Sequence, residues 1–577
     1  MRGADGVPGS LVGDVHPAHA NKEPSAMTLL SRLLSLRPAV RHPVRVRRNV
    51  PIPAADGVRL MATHYYPAGV QTPPLVLMRT PYGRGRLVDA LPRLLAERGY
   101  QVLCQSLRGT AGSQGRFDGF VIDPADADGT LTWLRSQPWF GGVLATWGAS
   151  YLGYAQWELA ARQIPEWKIA VIQDAPSAFA GGFMYPGGAF ALGNALGWVQ
   201  LVDTMFRSDN SMLRQLLAVF GASRRLHRAV LTLPLTDADR ALTGHRVSWY
   251  QEWLTNPPGS ESGQEYWARM DQRGNTERMP PIVYLQGGWY DFFLPGMIED
   301  HARLLAAGRS VRLLIGPWSH GKGLNTRAAL RDALTALDAA LAGRQAPTGV
   351  RVFITGAKQW RDLPGWPPAH RPTPWHLHPG GGLSREQAAP GAPPSHYRYD
   401  PTDPTPTVGG TIVGFSAGPA DNRAIEARSD VLTFTTAPLT SDVEVIGPVR
   451  VRLYARASLP HVDYTARLCA VDPRGRSVNL CDGIIRLPAP GTGQEKTEGV
   501  RTVDITLWPV AHRFARGHRI RLQVAGGAHP RYGRNPGTGR PLAAERELRA
   551  SDNEILHDPD HPSAIWLPVS SAFSQAS

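Results

Sequence analysis

Residues 142–153 read Gly142-Val143-Leu144-Ala145-Thr146-Trp147-Gly148-Ala149-Ser150-Tyr151-Leu152-Gly153, an apolar run leading into a serine flanked by glycines. A strand that turns sharply into a helix holds such a serine in a strained backbone conformation with its hydroxyl raised above the sheet edge. The turn closes only where the neighbouring side chains are small. Tyr154-Ala155-Gln156-Trp157-Glu158-Leu159-Ala160 continues as a helix, whose N-terminal dipole and unpaired N–H groups favour an anion developing beside Ser150. The second glycine falls three residues after the serine, whereas the strict G-x-S-x-G pattern places it two after. The motif therefore needs its partners before it signifies catalysis.

A serine nucleophile requires a base to take its proton and a carboxylate to hold that base, in the chain order Ser, Asp or Glu, His. Asp291 ends the apolar run Pro281-Ile282-Val283-Tyr284-Leu285-Gln286-Gly287-Gly288-Trp289-Tyr290, and His320 follows Val311-Arg312-Leu313-Leu314-Ile315-Gly316-Pro317-Trp318-Ser319. Taken singly, Asp291 reads as an N-cap for the stretch after Pro295 and His320 as a loop histidine. Together with Ser150 they are three polar residues leaving buried strands at the same end, which packing does not explain and a catalytic triad does.

Strands and helices alternate from Val44 onward, which predicts an α/β fold with a mainly parallel sheet covered on both faces. Leu75-Val76-Leu77-Met78, Val102-Leu103-Cys104 and Ile169-Ala170-Val171-Ile172 are strands, and Ala90 to Glu97 and Ala125 to Leu134 are helices. The alternation stops between Ala175 and Met279, where helical stretches and aromatic residues form an insertion between Ser150 and Asp291. The rhythm resumes through His320, the helix from Ala328 to Leu341 and the strand Val350-Arg351-Val352-Phe353. Beyond Trp360 prolines and glycines become dense, and short two-faced runs such as Val449-Arg450-Val451-Arg452-Leu453-Tyr454 follow, as in an antiparallel sandwich. The expected divisions are a disordered or misannotated extension over 1–43, hydrolase segments over 44–175 and 280–362, the cap over 176–279 and the C-terminal domain over 363–577. Within the extension, Met27 opens a short amphipathic helix candidate ending at Leu36 and is the alternative start of the protein; no secretory signal is read there.

Composition narrows the function classes. The 577 residues are 42% hydrophobic and 19% charged, a globular balance, and no apolar run reaches membrane-spanning length. The net charge of +14 comes mostly from arginines scattered among acidic residues, and Arg45, Arg47 and Arg48 alternate with valines as a solvated strand face, so nucleic-acid binding is not expected. Cys104, Cys469 and Cys481 form neither a C-x-x-C pair nor an even disulfide framework, which predicts a cytoplasmic location. His557-Asp558-Pro559-Asp560-His561 has metal-ligand residue types, but Pro559 and Pro562 favour a hydrogen-bonded turn, so no metal is expected.

With these motifs on the page, the sequence resembles the cocaine esterase and Xaa-Pro dipeptidyl-peptidase superfamily, the CocE/NonD hydrolases. The resemblance rests on Arg79-Thr80-Pro81-Tyr82, Arg108-Gly109 through Gly115, the Gly148 to Gly153 elbow, Pro186-Gly187-Gly188, Gly288-Trp289-Tyr290-Asp291 and Gly316-Pro317-Trp318-Ser319-His320. It continues through Leu432-Thr433-Phe434, Asn479-Leu480-Cys481-Asp482-Gly483 and Gly517-His518-Arg519-Ile520-Arg521-Leu522. It implies an α/β-hydrolase fold with a helical cap and a C-terminal β jelly roll similar to galactose-binding domains.

It also implies an oxyanion hole made by the Tyr82 hydroxyl and the Tyr151 N–H, and a substrate pocket that includes Phe183 and Trp198, whose alternative role is cap packing. Relatives carry an aspartate where Ser106 stands, which puts a local salt bridge in question. Relatives that act on α-amino acid esters carry carboxylates just after the triad aspartate, where this chain has Phe292-Phe293-Leu294. The implied activity is acyl transfer through an acyl-enzyme on Ser150, without a cofactor. The substrate is a small ester, or in the alternative a short Xaa-Pro peptide, and whether the chain forms a homo-oligomer is open.

Overall fold

The computed structural model describes Leu36 and residues 42–85, 89–207, 224–324, 326–414, 416–488, 495–496 and 499–570. Most of the N-terminal extension, including the helix candidate opening at Met27, lies outside the described residues.

Ten strands form the first sheet, in the order β1-β2-β4-β3-β5-β6-β7-β8-β9-β10. They are β1 (Val44–Pro53), β2 (Arg59–Pro67), β3 (Leu75–Thr80), β4 (Gln101–Ser106), β5 (Leu144–Ala149), β6 (Trp167–Gln173), β7 (Ile282–Tyr290), β8 (Ser310–Ser319), β9 (Gly349–Ile354) and β10 (Gln359–Leu363). The strands from β4 through β9 in that order are parallel, and β1, β2 and β10 run antiparallel at the edges. Every residue of β3 and β4 is buried, because helices cover both faces and a parallel strand then has no polar side to expose. Arg45 and Arg47 are exposed on β1, while Arg48 reaches Asp89 at 2.9 Å.

Helices α1 (Ala90–Glu97), α2 (Pro124–Arg135), α3 (Tyr151–Leu159), α4 (Leu294–Ala306) and α5 (Arg327–Leu341) connect the strands. Capping chemistry sets the ends of two of them: the Asp123 carboxylate accepts the Ala125 N–H at 2.9 Å ahead of α2, and the Thr326 side chain accepts the Ala329 N–H ahead of α5. Between β6 and β7 the cap contributes a π-helical turn (Ala180–Met184) and α-helices at Leu192–Arg207, Ser248–Thr255 and Glu261–Ala268. Its aromatic residues are continuous with the hydrolase core, and Trp157, Phe179, Phe190, Trp253 and Phe293 are each 4% exposed or less. Each such side chain contributes roughly 1.5–3 kcal/mol by leaving water, so the cap is welded to the sheet.

The strands after β10 form a second, twelve-stranded sheet system that is almost wholly antiparallel, with its own core around Val451, Leu468, Leu522 and Ile565. This domain docks on both other parts. Val413 N–H donates to the Asn194 side chain of the cap at 3.0 Å, and Tyr290 Oη donates to the Asn479 carbonyl at 3.3 Å. At Gly187 a Cβ would lie 1.8 Å from the Ile484 carbonyl oxygen, so only glycine lets the cap backbone approach that closely. Among the described residues no helix is long and apolar enough to cross a membrane.

Candidate active site

Five adjacent parallel strands, β3, β5, β6, β7 and β8, deliver one polar residue each at their carboxyl ends: Tyr82, Ser150, Asp174, Asp291 and His320. Ligand sites in open α/β sheets form at this end, where strands stop and connections diverge.

Ser150 has φ 55° and ψ −123°, a region that L-residues avoid and that surrounding contacts must enforce. The enforcement is visible. Ser150 N–H donates to Gln173 O at 2.8 Å, and Ser150 O accepts from the N–H groups of Gly153 and Tyr154, each at 2.9 Å. A Cβ on Gly148 would lie 2.4 Å from the Leu152 carbonyl oxygen, and one on Gly153 would lie 2.5 Å from Ala175 Cβ. The glycine three residues after the serine is thus the position where α3 crosses the end of β6, which accounts for the displaced motif. Below the elbow a buried ion pair, Arg79 to Glu158 at 2.7 Å, ties β3 to α3.

His320 Nε2 is 3.0 Å from Ser150 Oγ, and its Nδ1 is 2.9 Å from Asp291 Oδ2. Asp291 is fully buried, and its Oδ1 accepts the Phe293 N–H at 2.7 Å just ahead of α4. The carboxylate therefore both stabilises the start of α4 and orients the imidazole. Burial acts most strongly on His320 and lowers its pKa, but the charge and hydrogen bond of Asp291 outweigh it and raise the imidazole above its ordinary 6.5. Phe292 stacks on the ring at 4.4 Å between centroids, and Phe293 meets it edge-on at 5.3 Å. From the C-terminal domain, Trp508 Nε1 donates to the Asp291 carbonyl oxygen at 3.2 Å.

Tyr82 N–H donates to Thr80 Oγ1 at 3.0 Å, which fixes the turn after β3. Its hydroxyl accepts the Trp198 indole N–H at 3.2 Å, and burial raises its pKa, so it stays protonated. The Tyr151 N–H stands at the first position of α3, among the helix N–H groups that have no i−4 partner, while its side-chain hydroxyl donates to Gly119 O at 2.7 Å.

Phe183 and Trp198 lie in the aromatic shell around this centre. Phe183 packs on Phe292 and Phe293 at 4.9 and 4.7 Å, and Trp198 stacks on Phe120 at 4.5 Å. Elsewhere, Ser106 Oγ accepts from Arg84 Nε at 2.7 Å, while Arg108 pairs with Asp126 and Asp56. The arginine thus has acidic partners with a serine at position 106. His557 Nε2 bonds Ser395 Oγ at 2.8 Å and His561 Nδ1 bonds Asp558 at 3.1 Å, a hydrogen-bonded turn. Cys104, Cys469 and Cys481 are free and buried, and burial pushes the Cys104 thiol up to about 12.

Sequence reasoning passed over Asp174 and Trp508. Asp174 carries the same signal as Asp291, a polar residue directly after an apolar strand. Trp508 carries none, because its contact forms only when the second sheet docks.

Comparison with known proteins gives consistent results. Residues 56–322 match the X-Pro dipeptidyl-peptidase (S15) family, and residues 343–565 match the X-Pro dipeptidyl-peptidase C-terminal non-catalytic domain. The chain is 32% identical over 576 residues to the cocaine esterase of Rhodococcus sp. (strain MB1 Bresler), an alignment that takes in 91% of this chain and 98% of that protein. Among solved structures, an α-amino acid ester hydrolase superposes with a TM-score of 0.76 at 22% identity, covering 92% of this chain and 97% of its own. An aminopeptidase from the marine sediment archaeon Thaumarchaeota archaeon gives 0.75 at 22%, with coverage of 93% and 98%.

Proposed function

Since the chain belongs to the cocaine esterase and X-Pro dipeptidyl-peptidase (CocE/NonD) family of serine hydrolases, we propose that it hydrolyses carboxylic esters with an apolar or aromatic acyl group through an acyl-enzyme on Ser150. His320 Nε2 takes the Ser150 proton as Oγ attacks the ester carbonyl carbon, and Asp291 stabilises the imidazolium. The Tyr82 O–H and the Tyr151 N–H donate to the tetrahedral oxyanion. Donors fixed in advance cost no reorganisation as the charge develops. The imidazolium gives its proton to the departing alcohol; water, activated by the same imidazole, then releases the acid.

The observation that carries the substrate class is the apolar shell. Phe292 and Phe293 follow Asp291 directly, are each 4% exposed and pack on both His320 and Phe183. These aromatic side chains present no charge to pair with a free ammonium group and offer an apolar surface to an acyl group instead. The C-terminal domain reads as a jelly roll whose role is to buttress the triad, with Trp508 at the contact.

A substrate panel tests the reading. The p-nitrophenyl acetyl, butyryl and benzoyl esters should be turned over, the larger acyl groups with higher kcat/KM, and Ser150→Ala should abolish all three while keeping the fold. A higher kcat/KM for an Xaa-Pro p-nitroanilide than for any of these esters would overturn the ester assignment in favour of peptidase action.

A further inference from the structure

Two carboxyl groups close on His320. Asp174 leaves the end of β6 with φ 47°, a left-handed setting that a non-glycine residue keeps only where its neighbours impose it. Its N–H donates to Gln286 O at 2.7 Å, and its Oδ2 accepts the N–H of Gly321, the residue after the histidine, at 3.0 Å. A carboxyl oxygen of Asp174, one of Asp291 and a ring nitrogen of His320 all lie within 4.8 Å of one another. Asp174 is 3% exposed and Asp291 0%. The titratable groups facing Asp174 are Asp291, from the end of β7, and His320, from the end of β8. Its own strand presents Gln173, whose amide bonds Gln286 at 2.6 Å.

The donors divide unequally between the two acids. Asp291 has one on each oxygen, the Phe293 N–H on Oδ1 and His320 on Oδ2, so its ionised form is satisfied. Asp174 has a backbone donor on Oδ2 alone. Two adjacent buried negative charges beside a neutral imidazole would repel each other with little water to screen them.

We propose that Asp174 is a positioning residue that works as a neutral carboxylic acid, donating its proton to Asp291 while holding the His320 loop through the Gly321 N–H. Burial first, and the Asp291 charge second, hold its carboxyl well above the ordinary carboxylate range, against the opposing pull of His320 and the Gly321 N–H. The consequence for the base is direct. With one negative charge at its back the imidazole is neutral over a wider range toward acid, whereas a second charge would favour imidazolium and move the onset of activity to higher pH.

The proposal rests on the triad reading above, and its test separates the two. Asp174→Asn keeps both an acceptor for Gly321 and a neutral donor for Asp291. It should leave the acid limb of the pH profile where it is, while Asp174→Ala, which loses both contacts, should lower kcat roughly 10- to 100-fold. Asp291→Asn should instead cost about 10,000-fold. Independently of turnover, the infrared spectrum of the Ser150→Ala protein at neutral pH should show the carbonyl band of a protonated, hydrogen-bonded carboxylic acid that disappears in the Ser150→Ala/Asp174→Asn double variant. An acid limb that moves down by roughly 1 pH unit or more in Asp174→Asn, or the absence of that band, would overturn the proposal. If Asp174→Asn fails to fold, loss of the band in the Ser150→Ala/Asp174→Ala double variant decides instead. If Ser150→Ala retains esterase activity, the triad reading fails, and the band still reports whether Asp174 is protonated.

Discussion

Replacing Tyr82 with phenylalanine isolates the electrophilic half of the site. The substitution keeps the ring and removes one oxygen, the atom that accepts the Trp198 indole N–H at 3.2 Å. In the proposed mechanism two donors serve the oxyanion, Tyr82 Oη and Tyr151 N–H. Losing one such donor raises the barrier by about 3 kcal/mol, or roughly 100- to 1000-fold in kcat. KM should hardly move, because the donor meets full charge only in the transition state. A second, separable effect falls on stability: Trp198 is 7% exposed, and its indole N–H loses its partner at a cost of about 1–3 kcal/mol, read as a lower Tm. The assay is steady-state kinetics with p-nitrophenyl butyrate beside a thermal melt. A raised KM with unchanged kcat would make Tyr82 a pocket wall and refute the oxyanion role.

Three further outcomes follow from the geometry. Activity needs neutral His320, so kcat/KM should fall as pH drops through an imidazole pKa held above 6.5 by Asp291; an acid limb below 6.5 would contradict the charge arrangement. Gly153→Ala would set a Cβ 2.5 Å from Ala175 Cβ, so overpacking of about 1–3 kcal/mol should lower Tm and, by shifting the elbow, kcat; an unaltered enzyme would show that the close approach is dispensable. Trp508→Phe deletes the donor to the Asp291 carbonyl oxygen, worth about 1 kcal/mol, and should reduce kcat several-fold with the fold kept. Unchanged kcat would confine the C-terminal domain to a structural role.

What the sequence reveals here follows from how local each feature is. Ser150, Asp291 and His320 are legible because each follows an apolar strand beside glycines whose close approaches allow no side chain: a Cβ at Gly288 would lie 2.2 Å from the Trp318 carbonyl oxygen. Asp174 obeys the same rule and is passed over because a triad asks for a single acid, so Asp291, with its glycine pair and its place before His320, satisfies the search first. The displaced glycine of the elbow is legible as a departure from the strict pattern, but its reason, contact with Ala175, exists only once α3 lies across β6. Trp508 is beyond local reading, since 217 residues separate it from Asp291 and only the docking of two sheets joins them. The partnership of Trp198 with Tyr82 is likewise a product of cap placement.

Ser150 is the nucleophile of this mechanism, and a fluorophosphonate, which phosphonylates an activated serine, reports it directly when the treated protein is read by mass spectrometry. A single adduct should map to Ser150, be absent from Ser150→Ala and form far more slowly in His320→Ala. An adduct on another residue, or continued ester turnover by fully labelled enzyme, would contradict it.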